Sequence, residues 1–144
     1  MKGRVQSIEV SYFVHSTEDK ERINASVRSV MGLNCDMMEE VLEGHHGNRI
    51  IRVSCRITGE TVSAVLERLV AGLAAGSKKD VVSNIRAMTD EHFMLYLRLN
   101  KQSIVEGRLE TGGRESVRIR VKPRLFLLRE GAEQFYRSVF EGEG

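Results

Sequence analysis

Hydrophobic and polar residues alternate along four stretches of the chain, which is the pattern of strands that bury one face. These stretches are residues 4–15, 50–58, 93–100 and 116–124. In the last of them every second position is basic, and β-branched residues stand between: the cations are Arg118, Arg120, Lys122 and Arg124. Successive side chains of a strand point to opposite faces, so this stretch predicts one core face and one row of four cations.

Helical spacing of apolar residues separates these strands. It predicts helices over residues 18–31, 60–74, 77–88 and 130–140, the first capped by Ser16 or Thr17 and ended by Gly32, and the third capped by Ser77. Short strands are predicted at 39–43 and 108–110, turns at 44–48 and 112–113, and a polar connection at 101–107. Hairpin turns favour antiparallel pairing. The predicted class is therefore α+β, an antiparallel or mixed sheet with helices packed on one face.

Length and composition fit a single domain over residues 1–144, since 144 residues with 41% hydrophobic content can bury one core. The net charge is only +2, so any basic surface must be local. Between Arg114 and Arg129 the chain carries six cations and one acid, Glu115. This segment is where we expect an anionic partner to bind.

Cysteine content and hydropathy predict an intracellular, cytoplasmic protein with no membrane partner. Two cysteines, Cys35 and Cys55, are too few for the disulfide framework of small secreted domains. The chain opens without the apolar segment of a signal peptide, and its apolar stretches are shorter than the roughly 20 residues of a membrane span.

The basic rows predict an RNA-binding surface. Arg52 and Arg56 alternate with apolar residues in the second strand and would share the open sheet face with the row that begins at Arg118. A row of like charges repels itself unless an anion covers it. Tyr96 and Arg98 would also face outward, as a stacking ring beside a cation. The alternative is a solvated edge strand, on which basic residues discourage aggregation.

Catalytic, metal and cofactor sites are not predicted. His45 and His46 lie between the two cysteines, but structural zinc sites pair their ligands closely and neither cysteine has a near partner. Acidic residues are plentiful without any ordering of serine, histidine and aspartate that indicates a catalytic site. We therefore predict a protein that is not an enzyme.

Four sequence blocks together resemble the archaeal family of predicted exosome subunits, or RNA-binding-domain proteins. They are Tyr12 to Asp19, Glu43 to Asn48, Leu97 to Gln102 with Glu106 and Gly107, and Val117 to Lys122. The resemblance implies a fold similar to that of the fifth large-subunit ribosomal protein. Family members often have aspartate where this chain has Asn100, and the segment from Pro123 to Phe126 departs from the usual tail.

These observations predict a non-catalytic RNA-binding protein that acts in RNA processing, associated with the exosome, or in ribosome-related assembly. The predicted RNA-binding residues are Arg52, Arg56, Arg98, Asn100, Lys101, Arg118, Arg120, Lys122 and Arg124. The alternative is a scaffold module whose basic face binds an acidic protein, and a small hydrolase that uses the loop at His45 and His46 comes third. The sequence leaves the oligomeric state open.

Overall fold

An antiparallel sheet forms the centre of the computed structural model, which describes residues 4–44, 47–124 and 131–142. Its five strands within those ranges are β1 (Val5–His15), β2 (Met38–Glu43), β3 (Arg49–Thr58), β4 (Leu95–Asn100) and β5 (Ser116–Pro123). The strand order is β2-β3-β1-β5-β4, and every neighbouring pair is antiparallel. This topology makes β1 the central strand.

Helices pack on one face of the sheet, and this arrangement confirms the predicted α+β class. They are α1 (Lys20–Met31), α2 (Thr61–Gly72), α3 (Ala75–Ser83), α4 (Ile85–Met88), α5 (Lys101–Val105) and α6 (Ala132–Glu141). No helix in the described part of the chain is both long enough and apolar enough to span a membrane.

Alternation along the strands separates the core from the open face, as predicted. On β1 the buried side chain of Val10 lies between Cys55 of β3 and Ile119 of β5, and all three are at most 4% exposed. Burying a β-branched side chain stabilises the fold by about 1.5–3 kcal/mol. The intervening residues of the same strands therefore point away from the helices.

The helix boundaries differ from the prediction at two caps. Asp19, not Ser16 or Thr17, caps α1, because its carboxylate accepts the Arg22 amide hydrogen at 3.2 Å. Ser77 lies inside α3 instead of capping it, and its hydroxyl oxygen accepts the backbone N–H of Thr111 at 3.0 Å. Gly32 ends α1 as predicted, with a φ of 66° that suits glycine.

Two predictions for the stretch between β4 and β5 are wrong. The supposed polar connection contains α5, in which Ser103 and Ile104 are buried. The strand predicted at 108–110 is absent from the described residues. Leu109 makes only an isolated bridge to Leu73.

The strand β4 also begins later than predicted, at Leu95. Phe93 has a φ of 61°, a left-handed conformation that interrupts a strand. The prediction for the turn at His45 and His46, and the predicted start of the last helix at residue 130, lie outside the described residues.

Candidate nucleic-acid interface

The open face of the sheet carries side chains in rows across four strands. Register places Arg56 of β3, Glu9 of β1, Arg120 of β5 and Tyr96 of β4 in one row. The next row is Ser54, Ser11, Arg118 and Arg98. In the row after that, Arg52 lies between Phe13 of β1 and Glu40 of β2. The fold thus brings together basic residues that are up to 68 positions apart in the sequence.

Arg52, Arg56, Arg98 and Arg118 are exposed on this face, and none of them forms an ion pair with a described residue. Arg98 and Arg118 lie directly opposite each other on β4 and β5. Like charges at directly opposite positions destabilise a sheet. No described carboxylate lies within ion-pair distance of Arg98 or Arg118, so an anion could bind these guanidinium groups without displacing an ion pair.

Arg120 differs from these four arginines because Nη2 of its guanidinium forms an ion pair with Oε2 of Glu9. The sequence analysis missed Glu9, although it occupies an outward position of β1. Strand order was the missing information, since only the adjacency of β1 and β5 puts Glu9 opposite Arg120. The acid makes the centre of the open face less positive than the basic row alone predicts.

A shallow hollow of about 340 Å³ opens in the middle of the face. The residues that line it include Glu9, Ser11, Tyr96, Arg98, Arg118 and Arg120. Ser11 is a short side chain next to the long Arg118 of β5, beyond which Arg98 of β4 follows, so its position forms the floor. A group can insert between the arginines in this hollow.

Tyr96 forms one wall of the hollow, and its side chain is held at its hydroxyl end. The residue is 43% exposed, and its hydroxyl donates a hydrogen bond to Oδ2 of Asp90 at 2.9 Å. The other oxygen of Asp90 accepts the backbone N–H groups of His92 and Met94 at 2.9 and 3.0 Å. The hydrogen bond to Asp90 raises the pKa of Tyr96.

Asp90 stays ionised under this arrangement. Although burial opposes the charge, the hydrogen bonds from the amide of Met94, the hydroxyl of Tyr96 and the amide of His92 hold the pKa of Asp90 below its ordinary value. The sequence analysis also missed Asp90. Its role depends on the turn before β4, which alternation does not reveal.

Lys101, one of the predicted RNA-binding residues, does not lie on the open face. It is only 4% exposed, and its Nζ donates to the carbonyl oxygen of Phe13 at 2.9 Å and to Oε1 of Glu18 at 2.8 Å. A carboxylate oxygen of Glu115 lies 3.4 Å from the same nitrogen. These contacts engage the ammonium group inside the protein and leave no room for a phosphate.

Asn100 is also occupied, as the cap of α5. Its side-chain oxygen accepts the backbone N–H of Ser103 at 3.1 Å. The Asn100 side chain packs so closely on Gly113 that a Cβ atom there would lie 2.7 Å from Nδ2. Gly113 also has a φ of 91°, so both space and backbone conformation require glycine.

The two remaining predicted residues lie at the far end of β5. Lys122 is half-buried and sits opposite Ser7, while Arg124 follows the strand and is exposed. The backbone N–H of Arg124 donates to the carbonyl oxygen of Arg4 at 3.0 Å. Both basic side chains extend the basic surface beyond the hollow, and their contact with RNA stays a prediction.

The cysteines do not form part of this face. Cys55 is buried in the core, and burial raises the pKa of its thiol, which opposes both metal binding and nucleophilic attack. Within residues 4–44, 47–124 and 131–142, no three residues among histidine, cysteine, aspartate and glutamate are grouped as a metal site requires. His45 and His46 lie outside that part of the chain.

We predict that the purified protein contains no stoichiometric zinc and that a chelator leaves its melting temperature unchanged. The reason is the ligand spacing, which lacks the close pairs of structural zinc sites. Elemental analysis of the protein, with a His45→Ala variant as the comparison, measures this directly. One zinc per chain that disappears in the variant would contradict the prediction and favour the hydrolase hypothesis.

Comparison with known proteins relates the chain to RNA-binding proteins. A family model described as RNA binding matches residues 7–123. RNA-binding protein PAB1135 of Pyrococcus abyssi is 27% identical over 153 aligned positions, and the alignment covers 99% of each chain.

Solved archaeal structures share the fold. Protein AF2318 from Archaeoglobus fulgidus superposes with a TM-score of 0.80 at 21% identity, covering 94% of this chain and 99% of that one. A protein from Methanothermobacter thermautotrophicus superposes with a TM-score of 0.77 at 24% identity, covering 95% and 98% of the respective chains. At these identities the superpositions concern the fold alone.

Proposed function

The chain belongs to the RNA-binding family whose model spans residues 7–123, and from this premise we propose that its open sheet face binds RNA without catalysing a reaction. The observation that carries the proposal is the group of exposed arginines on that face that have no carboxylate within ion-pair distance among the described residues: Arg52, Arg56, Arg98 and Arg118. A phosphate backbone would neutralise them and relieve the repulsion between Arg98 and Arg118.

Guanidinium groups suit this role better than ammonium groups would. Each presents a planar set of donors that matches two phosphate oxygens at once. The unpaired cations on β3, β4 and the middle of β5 are all arginines, whereas the half-buried cation Lys122 and the buried cation Lys101 are lysines. The distribution supports phosphate contact on the open face and a structural role for Lys101.

The cellular role we propose is RNA processing, in association with the exosome, or ribosome-related assembly. Support for it comes from the resemblance of four sequence blocks to the archaeal family of predicted exosome subunits. Ultraviolet crosslinking in cells followed by sequencing of the bound RNA tests it. Enrichment of processing intermediates or ribosomal RNA precursors is expected, and recovery of RNA in proportion to its abundance would contradict it.

Removing the two opposed arginines should weaken RNA binding and reduce its salt dependence. For an Arg98→Gln, Arg118→Gln double variant, the slope of log affinity against log salt should become shallower by about 1.4 to 1.8, because each phosphate contact contributes about 0.7 to 0.9. The fold should remain intact, since the substitutions remove a repulsive pair at exposed positions. Fluorescence anisotropy with a labelled RNA over a salt series gives the slope.

The matched control is Arg22→Gln with Arg28→Gln, which removes the same charge from the exposed side of α1. That helix packs on the opposite face of the sheet, so its double variant should keep the slope of the wild-type protein. Equal slopes for all three proteins would place the RNA elsewhere. Binding of an acidic protein that is lost only in the Arg98, Arg118 variant would then support the scaffold alternative.

A further inference from the structure

Building on the proposed function, we propose that the hollow on the open face holds one nucleotide of single-stranded RNA, with its base stacked on Tyr96 and its phosphates against Arg98 and Arg118. The hollow, the ring and the two guanidinium groups belong to the same site, since all three side chains line it. A volume of about 340 Å³ lies within the range of small-ligand sites, about 300 to 1,000 Å³.

The ring of Tyr96 is prepared for stacking. Its hydroxyl is tethered to Asp90 at 2.9 Å, and Asp90 is itself held by two backbone amides. The residue is nevertheless 43% exposed, so ring surface remains open to a ligand. A ring that is already positioned loses little conformational freedom when a base stacks on it, which favours binding.

The charges around Tyr96 fix which side of the ring receives the phosphates. A second hollow, of about 500 Å³, lies beside the ring and is lined by Asp80 and Asp90 as well as by Tyr96 and Arg98. These carboxylates repel phosphate, whereas Arg98 and Arg118 attract it. The backbone of the strand is therefore directed along the arginine side of the ring.

The floor of the hollow suits a base edge better than a phosphate. Ser11 forms the floor, Glu9 also lines the hollow, and the carboxylate of Glu9 disfavours a second anion. Hydroxyl and carboxylate oxygens accept hydrogen bonds from the amino or imino groups of bases. In duplex RNA those edges are paired and the base faces are covered, so only an unpaired nucleotide can both stack on Tyr96 and reach this floor.

Three RNA ligands of equal length separate stacking from charge: a single-stranded oligouridine 12-mer, a 12-mer of the same backbone with abasic sugars, and a 12-base-pair duplex. Each is titrated against the wild-type protein and Tyr96→Leu by fluorescence anisotropy at one salt concentration. The wild-type protein should bind oligouridine at least about ten-fold more tightly than the abasic strand. Tyr96→Leu should lose that difference and bind the abasic strand as the wild-type protein does.

Phe13→Leu is the matched control, because Phe13 is an aromatic residue on the open face, on β1, and is not among the residues that line the hollow. It should keep the preference for oligouridine. Tight binding of all three ligands with no preference would overturn this inference and leave the proposed function standing. Absence of binding to every RNA would overturn both, and an equal loss of oligouridine affinity in Phe13→Leu would overturn the assignment to Tyr96.

Discussion

Replacing Lys101 with methionine should destabilise the protein by about 3 kcal/mol without a direct effect on RNA contacts. The ammonium group is 4% exposed and bonds to Glu18 and to the carbonyl oxygen of Phe13, with Glu115 beside it. Removal of one partner from a buried ion pair leaves the other charge uncompensated. The cost should be near the lower end of the range for buried pairs, because the Glu18 side chain is 29% exposed and Glu115 is 52% exposed.

This cluster joins distant parts of the fold, which explains why one side chain has a large effect. Glu18 precedes α1, Phe13 belongs to the central strand, and Lys101 is the first residue of α5. The lysine therefore ties α5 to the sheet and to the turn before α1. Without it, the carbonyl oxygen of Phe13 also loses a donor in a partly buried position.

The same cluster should make the stability of the wild-type protein depend on pH more strongly than that of the variant. Although burial opposes the charge on Glu18, hydrogen bonds from Lys101 and from the amide of His15 lower its pKa. The unfolded chain then binds the proton at a higher pH than the folded chain does. The contribution of this pair is thus fully present above the unfolded pKa of Glu18 and is lost as the pH falls through the lower, folded pKa.

Urea unfolding at pH 7 and at pH 3 measures both effects, with Lys79→Met as the control. Lys79 is an exposed lysine of α3, so its replacement should change the free energy of unfolding by no more than about 0.5 kcal/mol. The difference in free energy of unfolding between Lys101→Met and the wild-type protein should be smaller at pH 3 than at pH 7. A variant with wild-type stability but weakened RNA binding would instead show that Lys101 reaches RNA, as its position in the sequence first indicated.

The alternation of hydrophobic and polar residues was sufficient to predict which face of β1, β3 and β5 is buried, because a buried face imposes a period of two on the sequence. It could not predict α5, whose five residues are too few to show a helical period. The burial of Lys101 could not be predicted from the sequence for a related reason. Its partner Glu18 lies 83 positions away, and a contact over that distance depends on how the strands are ordered.

The residues of the candidate site also divide into those that the sequence pattern could predict and those that it could not. Its arginines could be predicted because each strand shows its own outward row. The residues that give the site its shape, Glu9, Ser11 and Asp90, could not, because their importance comes from neighbours on other strands and from a turn. Local pattern therefore predicted the charge of the face, and topology determined the hollow within it.

Ile119→Lys should be the most destabilising substitution on β5, at roughly 4–7 kcal/mol, while Arg118→Glu next to it leaves the protein folded. Ile119 is 1% exposed and pairs with Val10 and Leu97, both of which are buried. A lysine there must be buried without a partner or lose its proton. A domain of this size is stable by only about 5–15 kcal/mol, so the variant approaches complete unfolding.

The pH dependence of Ile119→Lys distinguishes a buried charge from a simple loss of packing. Burial lowers the pKa of a lysine, so the unfolded chain holds the proton more tightly than the folded chain does. Stability should then rise with pH at about 1.4 kcal/mol per unit until the pH passes the unfolded pKa. Between pH 7 and pH 9 the variant should recover about 2 to 3 kcal/mol relative to the wild-type protein.

Arg118→Glu should keep the fold and lose RNA affinity, because Arg118 is exposed and faces the open side. The new carboxylate would lie opposite Arg98 and replace a repulsive pair with an attractive one, which stabilises the sheet by a few tenths of a kcal/mol. Thermal melting and RNA binding of the two variants, measured side by side, make each the control for the other. If Arg118→Glu unfolds, or if Ile119→Lys is harmless, then Arg118 faces the core and Ile119 faces the solvent. The proposed RNA surface on β5 would then be wrong.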